Sequence, residues 1–187
     1  GLITSVFDGE GFEAIPATLS INGDPSNSGT PVAPLEMVLS GQIVNTGSIT
    51  NTAAAVTLIS GPPPGPELTK PSAGVSDPAA IYLNYVNMAD GIYNDGIISS
   101  TAGTAIRLEN SNLNIISNTG TITGGNTYAI FIDDTAEVKQ IDNTGVINGI
   151  VDFGAKGGLY KSTGGTSGAV VNATSLQIGA ATAGAAG

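Results

Sequence analysis

Cysteine, histidine and tryptophan are all absent from the 187-residue sequence. Without cysteine the chain can form neither a disulfide framework nor a thiolate metal site. Histidine is the commonest general acid and base in enzymes, and Arg107 is the only arginine that could clamp an anionic substrate. A lyase or hydrolase on this chain would therefore lack its usual bases and clamps. We predict no enzyme activity, no catalytic residue, no cofactor and no metal site.

Basic residues and long apolar runs are also scarce. Lysine and arginine together number 5, against 15 for aspartate and glutamate, and the formal net charge is -10. Because no basic patch is available to hold a phosphate backbone, nucleic acid is not expected as a partner. No apolar run reaches the roughly eighteen residues of a membrane-spanning helix, so no membrane span is predicted.

What the sequence does contain is a phrase of the form Ile-x-Asn-x-Gly-x-Ile that is repeated along the chain. Its four copies begin at Ile43, Ile92, Ile116 and Ile141. Copies of a second phrase, Ala-Ile-x-Leu, begin at Ala80, at Ala105 and, with isoleucine in the last position, at Ala129. An earlier variant is assigned to Ala55–Leu58. Successive copies are 24 or 25 residues apart, and one step of 49 residues is interpreted as two periods with an Asn-x-Gly phrase missing near position 70.

This repeat predicts an all-β fold, and specifically a right-handed parallel β-helix, which is a solenoid of about 24–25 residues per turn. Short alternating segments rich in isoleucine, valine and threonine are typical of strands, with asparagine and glycine at the turns. One turn cannot bury its isoleucine row alone, so the next turn stacks on it at about 4.8 Å. Right-handedness is the usual sense of parallel β connections. The inward columns are predicted to hold Ile81, Ile106 and Ile130, and Ile92, Ile116 and Ile141.

The pattern divides the chain into three regions. Residues 1–36 do not join the repeat cleanly and are expected to form an irregular N-terminal cap or a segment exchanged with a neighbouring subunit. Residues 37–152 form the β-helix, with a proline-rich loop at 61–74 because proline cannot donate to a strand ladder. Residues 153–187 are rich in glycine and alanine, and within them residues 169–172 and 175–178 could still pair as last strands.

Four asparagines occupy the same position of the repeat, namely Asn45, Asn94, Asn118 and Asn143. Their amides could be presented to a sugar. Alternatively, side-chain amides that stack from turn to turn bond to one another and to the backbone of the bend. We favour the second interpretation, which makes the row a structural ladder.

The densest acidic cluster contains Asp133, Asp134, Glu137 and Asp142. Glycoside hydrolysis needs two carboxylates that flank one bond, but adjacent residues of a strand point to opposite faces. Calcium held by Asp133, Asp134 and Glu137 is an alternative. We favour a solvated acidic face.

The two repeated phrases resemble those of bacterial autotransporter passenger domains and related β-helical surface proteins, over roughly residues 37–152. The resemblance implies a secreted or bacterial cell-surface location and a role as an adhesin, a scaffold or a surface fibre. The favoured function is therefore a structural extracellular protein, a rigid rod that assembles end to end into a fibre. The alternative is an adhesin-type binding module that recognises a surface glycan or a protein through its loops.

A short solenoid has two open ends, and both termini of this chain carry strand-like segments in place of capping helices. Joining unlike ends head to tail does not close on itself, so we expect a homo-oligomer or homopolymer in which terminal strands complete a neighbour's sheet. The residues expected to make this contact are Leu2, Ile3, Val6, Phe7, Val170, Val171, Leu176 and Ile178.

Overall fold

The computed structural model describes residues 17–22, 37–39, 41–52, 56–57, 75–76 and 78–179. All regular secondary structure within these ranges is β-strand. The strands before Pro78 are β1 (Ala17–Asn22), β2 (Met37–Leu39), β3 (Gln42–Asn45), β4 (Ser48–Asn51), β5 (Val56–Thr57) and β6 (Val75–Ser76). The next six are β7 (Ala79–Asn84), β8 (Val86–Asn94), β9 (Ile97–Ser100), β10 (Thr104–Glu109), β11 (Asn112–Asn118) and β12 (Thr121–Ile132). The last six are β13 (Glu137–Asn143), β14 (Val146–Asp152), β15 (Leu159–Thr163), β16 (Thr166–Ser167), β17 (Val170–Val171) and β18 (Ser175–Gly179).

Most of these strands belong to two parallel sheets. In the first sheet the order is β1-β7-β10-β12-β14-β16, with β17 beside β14 and with β9 between β4 and β12. In the second sheet the order is β18-β15-β13-β11-β8-β2, with β3 also beside β8. A third, two-stranded sheet joins β5 and β6 in antiparallel pairing. Each strand of the large sheets therefore lies beside the strand from the equivalent position of the next repeat.

The register of the pairs follows the sequence repeat. Ile106 pairs with Ile81 and with Ile130 in the first sheet. The corresponding column of the second sheet holds Ile92, Ile116 and Ile141. All six isoleucines are fully buried, and each contributes about 1.5–3 kcal/mol to folding by leaving water. The prediction of an all-β chain of parallel, repeating strands is confirmed.

The N-terminal part of the repeat differs from the prediction. Residues 56–57 of the copy assigned to Ala55–Leu58 pair antiparallel with residues 75–76, outside the large sheets. β7 pairs with β10 on one side and with β1 on the other. In β1, Leu19 lies opposite Ile81 and Ile21 opposite Leu83. The assignment of Ala55–Leu58 to the repeat is therefore wrong, because the alternating apolar residues of β1 fill the same register positions. Part of the region 1–36 thus lies in the first sheet.

The 49-residue step from Asn45 to Asn94 also covers less distance along the stack of repeats than the sequence predicted. Ile43 pairs directly with Ile92, and Asn45 with Asn94. This step therefore spans one strand spacing, and the interpretation as two periods is wrong. The proline-rich loop at 61–74 lies outside the described residues.

The region after residue 152 contributes the last strands of both sheets. Phe153 and Tyr160 are fully buried, and Tyr160 continues the column of Ile141. Beyond it, β18 pairs with β15 and stands last in the order of the second sheet. In the part of the chain that the structure describes, no helix has the length and apolarity to cross a bilayer.

Candidate functional site

The four asparagines of the repeated turn form a continuous row of side-chain hydrogen bonds. The Nδ2 of Asn45 donates to Oδ1 of Asn94 at 2.7 Å. Asn94 donates in the same way to Asn118 at 2.7 Å, and Asn118 to Asn143 at 2.8 Å. Each side chain is at most 6% exposed. A buried row with its amides paired internally offers no group to a sugar in solution.

The row ends at a tyrosine. The Nδ2 of Asn143 donates to the hydroxyl oxygen of Tyr160 at 3.3 Å, and Ser162 takes the place of the next asparagine in the register. Tyr160 lies two residues before Ser162 on the same strand, β15. Its hydroxyl oxygen therefore accepts the last side-chain hydrogen bond of the row. The sequence pattern did not single out this residue because it lies in an isoleucine position of the repeat.

The turn that follows each asparagine bonds to the preceding repeat with a fixed polarity. The backbone amides of Asp95 and Gly96 donate to the carbonyl oxygen of Asn45, at 2.8 and 3.2 Å. The amides of Thr119 and Gly120 donate to Asn94 at 2.8 and 3.1 Å, and those of Thr144 and Gly145 to Asn118 at 2.9 and 3.1 Å. Turn amides thus point towards the N-terminal end of the stack, and turn carbonyls towards the C-terminal end.

Glycine is needed in these turns because the repeats approach each other closely. A Cβ atom added to Gly96 would lie 2.0 Å from the carbonyl oxygen of Gly47. At Gly120 and Gly145 the distance to the carbonyl oxygen of the preceding turn glycine would be 2.1 Å. At Gly47, in the first repeat, no described atom lies within 4 Å of such a Cβ atom.

The assembly residues predicted at the C-terminal end lie on the last strands. Val170 packs against the core from β17, and Val171 next to it is exposed. On β18, Leu176 is 57% exposed and Ile178 is 69% exposed. All five residues of β18 are exposed, and no described strand pairs with its outer edge. The N-terminal candidates Leu2, Ile3, Val6 and Phe7 lie outside the described residues.

A group of aromatic and charged side chains lies on the outward side of the first sheet. Tyr82, Arg107 and Phe131 are neighbours in register. The guanidinium carbon of Arg107 lies 5.3 Å from the ring centroid of Phe131, and its Nη2 lies 2.7 Å from Oε1 of Glu109. The rings of Tyr128 and Phe131 meet edge to face at 5.1 Å between centroids. We call these five residues the aromatic–arginine patch.

Glu109 contacts two other residues of the patch, Tyr82 and Arg107. It accepts a 2.8 Å hydrogen bond from the Tyr82 hydroxyl at Oε2, while Oε1 faces Arg107. Burial, followed by the negative charge of Glu109 and this hydrogen bond, raises the pKa of Tyr82 well above its usual value. Tyr82 therefore acts here as a hydrogen-bond donor. The sequence held a signal for the patch, since Tyr82, Arg107 and Phe131 are the variable residues of the three Ala-Ile-x-Leu phrases.

The structure divides the acidic cluster between a turn, which holds Asp133 and Asp134, and strand β13, which holds Glu137 and Asp142. Asp133 Oδ1 accepts hydrogen bonds from the backbone amides of Thr135 and Ala136, both at 2.9 Å. Asp134 is exposed, and Glu137 opens the following strand. Among the described residues no three acidic, histidine or cysteine side chains are grouped so as to hold a metal ion.

No protein-family model matches the sequence, and neither a curated protein nor a solved structure matches the chain significantly.

Proposed function

We propose that this chain is a right-handed parallel β-helix that acts as a structural extracellular surface protein, a rigid rod whose copies join end to end into a fibre. The resemblance of its two phrases to autotransporter passenger domains supports a place at the bacterial cell surface. The observation that carries the proposal is the outer edge of β18, with which no described strand pairs and which exposes Leu176 and Ile178. Unpaired strand edges with apolar side chains favour the addition of further strands.

The β-helical path is supported by the order in which the chain visits the sheets. From β7 the chain passes to β8 in the second sheet and returns through β9 to β10, which pairs with β7. The same circuit is repeated from β10 through β11 to β12. Each circuit advances the chain by one strand spacing, about 4.8 Å.

Rigidity follows from the way the repeats are joined. Each inner repeat is held to its neighbours by parallel strand pairs, by the asparagine row and by close contact between glycine turns. The polar groups in this frame bond to one another and are buried. We therefore propose a load-bearing role without enzyme activity.

Electron microscopy of the purified full chain tests the proposal. We expect filaments whose X-ray fibre diffraction contains a meridional reflection near 4.8 Å, because β-helix strands would lie across the fibre axis. Deleting residues 169–187 removes β17 and β18 and should leave a folded protein, with a β-type circular dichroism spectrum, that no longer forms filaments. A full chain that stays monodisperse and monomeric over a hundredfold range of concentration would contradict the proposal.

Glycan binding is a second candidate function, and the aromatic–arginine patch is the observation that favours it. Tyr128 and Phe131 are half-buried rings, and Arg107 and Glu109 lie beside them with a donor and an acceptor. Aromatic surface with a few placed polar groups is a common ligand-binding composition. On a glycan array, we expect Phe131→Ala to lose at least about tenfold in affinity for any glycan that the wild type binds. The control is Tyr93→Ala, which removes a half-buried ring from the second sheet, and equal losses in both variants would argue against this patch.

A further inference from the structure

The two ends of the second sheet expose the two ends of one apolar column. In register, this column contains Ile43, Ile92, Ile116, Ile141, Tyr160 and Leu176. The four inner members are fully buried, because each has a neighbour in the repeat before it and in the repeat after it. Ile43 is only partly buried, and Leu176 is 57% exposed. The column is therefore incomplete at both ends of the described stack.

The turn at the N-terminal end carries backbone donors that the inner repeats satisfy. Asp95, Thr119 and Thr144 each donate a backbone hydrogen bond to the preceding repeat. Thr46 holds the equivalent position in the first repeat, and no described residue accepts from its amide. Among the described residues, the amide of Gly47 reaches the side chain of Asn45 alone, at 3.2 Å. The described N-terminal end of the stack thus presents backbone amides.

The first turn is less crowded than the inner turns. A Cβ atom would collide with a backbone carbonyl at the three inner turn glycines but would meet no described atom within 4 Å at Gly47. Within the described residues, the backbone that each inner turn glycine receives from the preceding repeat has no equivalent at Gly47.

We infer that the contact between copies continues the stack: β18 of one copy pairs in parallel with β3 of a second copy, and Leu176 packs against Ile43. This inference rests on the proposed end-to-end assembly and adds its atomic register. A second copy is the occupant because, among the described residues, the two surfaces complement each other in two respects. The exposed end of the apolar column on one copy meets the other end of the same column on the next, and the amide of Thr46, for which no described residue is an acceptor, meets the outer edge of β18, with which no described strand pairs.

The deciding experiment compares two aspartate substitutions at equally exposed apolar residues. Leu176 is 57% exposed at the end of the stack, whereas Val44 is 56% exposed on the lateral face of β3, in the row of Tyr93 and Ser117. We expect Leu176→Asp to raise the critical concentration for assembly at least about 100-fold, because a carboxylate would be buried without a partner. Val44→Asp should change it by no more than about twofold. Sedimentation measures the critical concentration, and circular dichroism checks that both variants are folded.

A third variant tests the same contact in case Leu176→Asp fails to fold. Gly47→Ala adds a methyl group that meets no described atom of the same copy within 4 Å, so its melting temperature should equal that of the wild type while its critical concentration rises. If the wild type forms fibres and both Leu176→Asp and Gly47→Ala assemble normally, the stacked contact is wrong and the fibre function stands. If Val44→Asp alone blocks assembly, copies associate side by side. If the wild type forms no fibre at all, the proposed function itself fails.

Discussion

Gly120→Ala will lower the free energy of unfolding by about 3 kcal/mol or more, since overpacking a tight site costs 1–3 kcal/mol and backbone clashes add to this. The new Cβ atom would lie 2.1 Å from the carbonyl oxygen of Gly96 and 2.8 Å from the Gly96 nitrogen. Backbone atoms cannot rotate away, so the two repeats must separate. Separation stretches the 3.1 Å hydrogen bond from the Gly120 amide to the Asn94 carbonyl oxygen. It also stretches the side-chain hydrogen bond from Asn94 to Asn118.

The matched control is the same substitution in the first turn. Gly47→Ala should leave the unfolding free energy of a single copy within about 0.5 kcal/mol of the wild type, as surface substitutions usually do, because its Cβ atom meets no atom of the described residues within 4 Å. Urea denaturation followed by circular dichroism measures both values. Equal stability of the two variants would show that the turns do not stack as closely in solution.

Asn118→Asp will destabilise the protein by about 3–5 kcal/mol at pH 7, the range for a buried charge left without its partner. The Nδ2 of Asn118 donates to Oδ1 of Asn143 at 2.8 Å and to the carbonyl oxygens of Gly120 and Val146 at 3.2 and 3.3 Å. A carboxylate would put an acceptor oxygen against these three oxygens. The side chain is 1% exposed, so water cannot relieve the repulsion.

The loss should depend on pH in a defined direction. Burial and the three facing oxygens raise the pKa of the introduced carboxyl above the value of about 3.9 for an unperturbed aspartate. The protonated carboxyl can donate to Asn143, so the variant is closest to the wild type below pH 4 and loses stability as the pH rises through the raised pKa. Asn148→Asp is the control, since Asn148 is exposed and bonds only to Thr123 Oγ1 among the described residues. A pH-independent difference between Asn118→Asp and the wild type would contradict this account.

The sequence was most informative where local chemistry and the stacked repeat agree. The asparagine of each turn pairs its amide with that of the next repeat and the glycine admits a close backbone neighbour, so their spacing located residues 94, 118 and 143 in one row of hydrogen bonds. The buried isoleucines were located for the same reason, because a period of 24–25 residues puts equivalent strand positions beside each other.

The sequence was least informative where a pairing partner is distant and its pattern is short. Leu19 and Ile21 alternate as a strand requires, but so do many apolar pairs, and Ala55–Leu58 lay at the expected distance from Ala80. Only the register of β1 on β7 decides between them. The aromatic–arginine patch was missed because Tyr82, Arg107 and Phe131 differ in type. Their common feature is the outward position, which a search for identical residues does not detect.

The step from Asn45 to Asn94 has a consequence for how such chains can change during evolution. The hydrogen bond across this 49-residue separation is 2.7 Å, equal to the one across 24 residues between Asn94 and Asn118. An additional chain length of one whole repeat therefore leaves the stacking geometry intact, and doubling a loop costs only about 0.6 kcal/mol of closure entropy. The connection between β4 and β7 is thus a natural site for acquiring new sequence, such as an inserted domain.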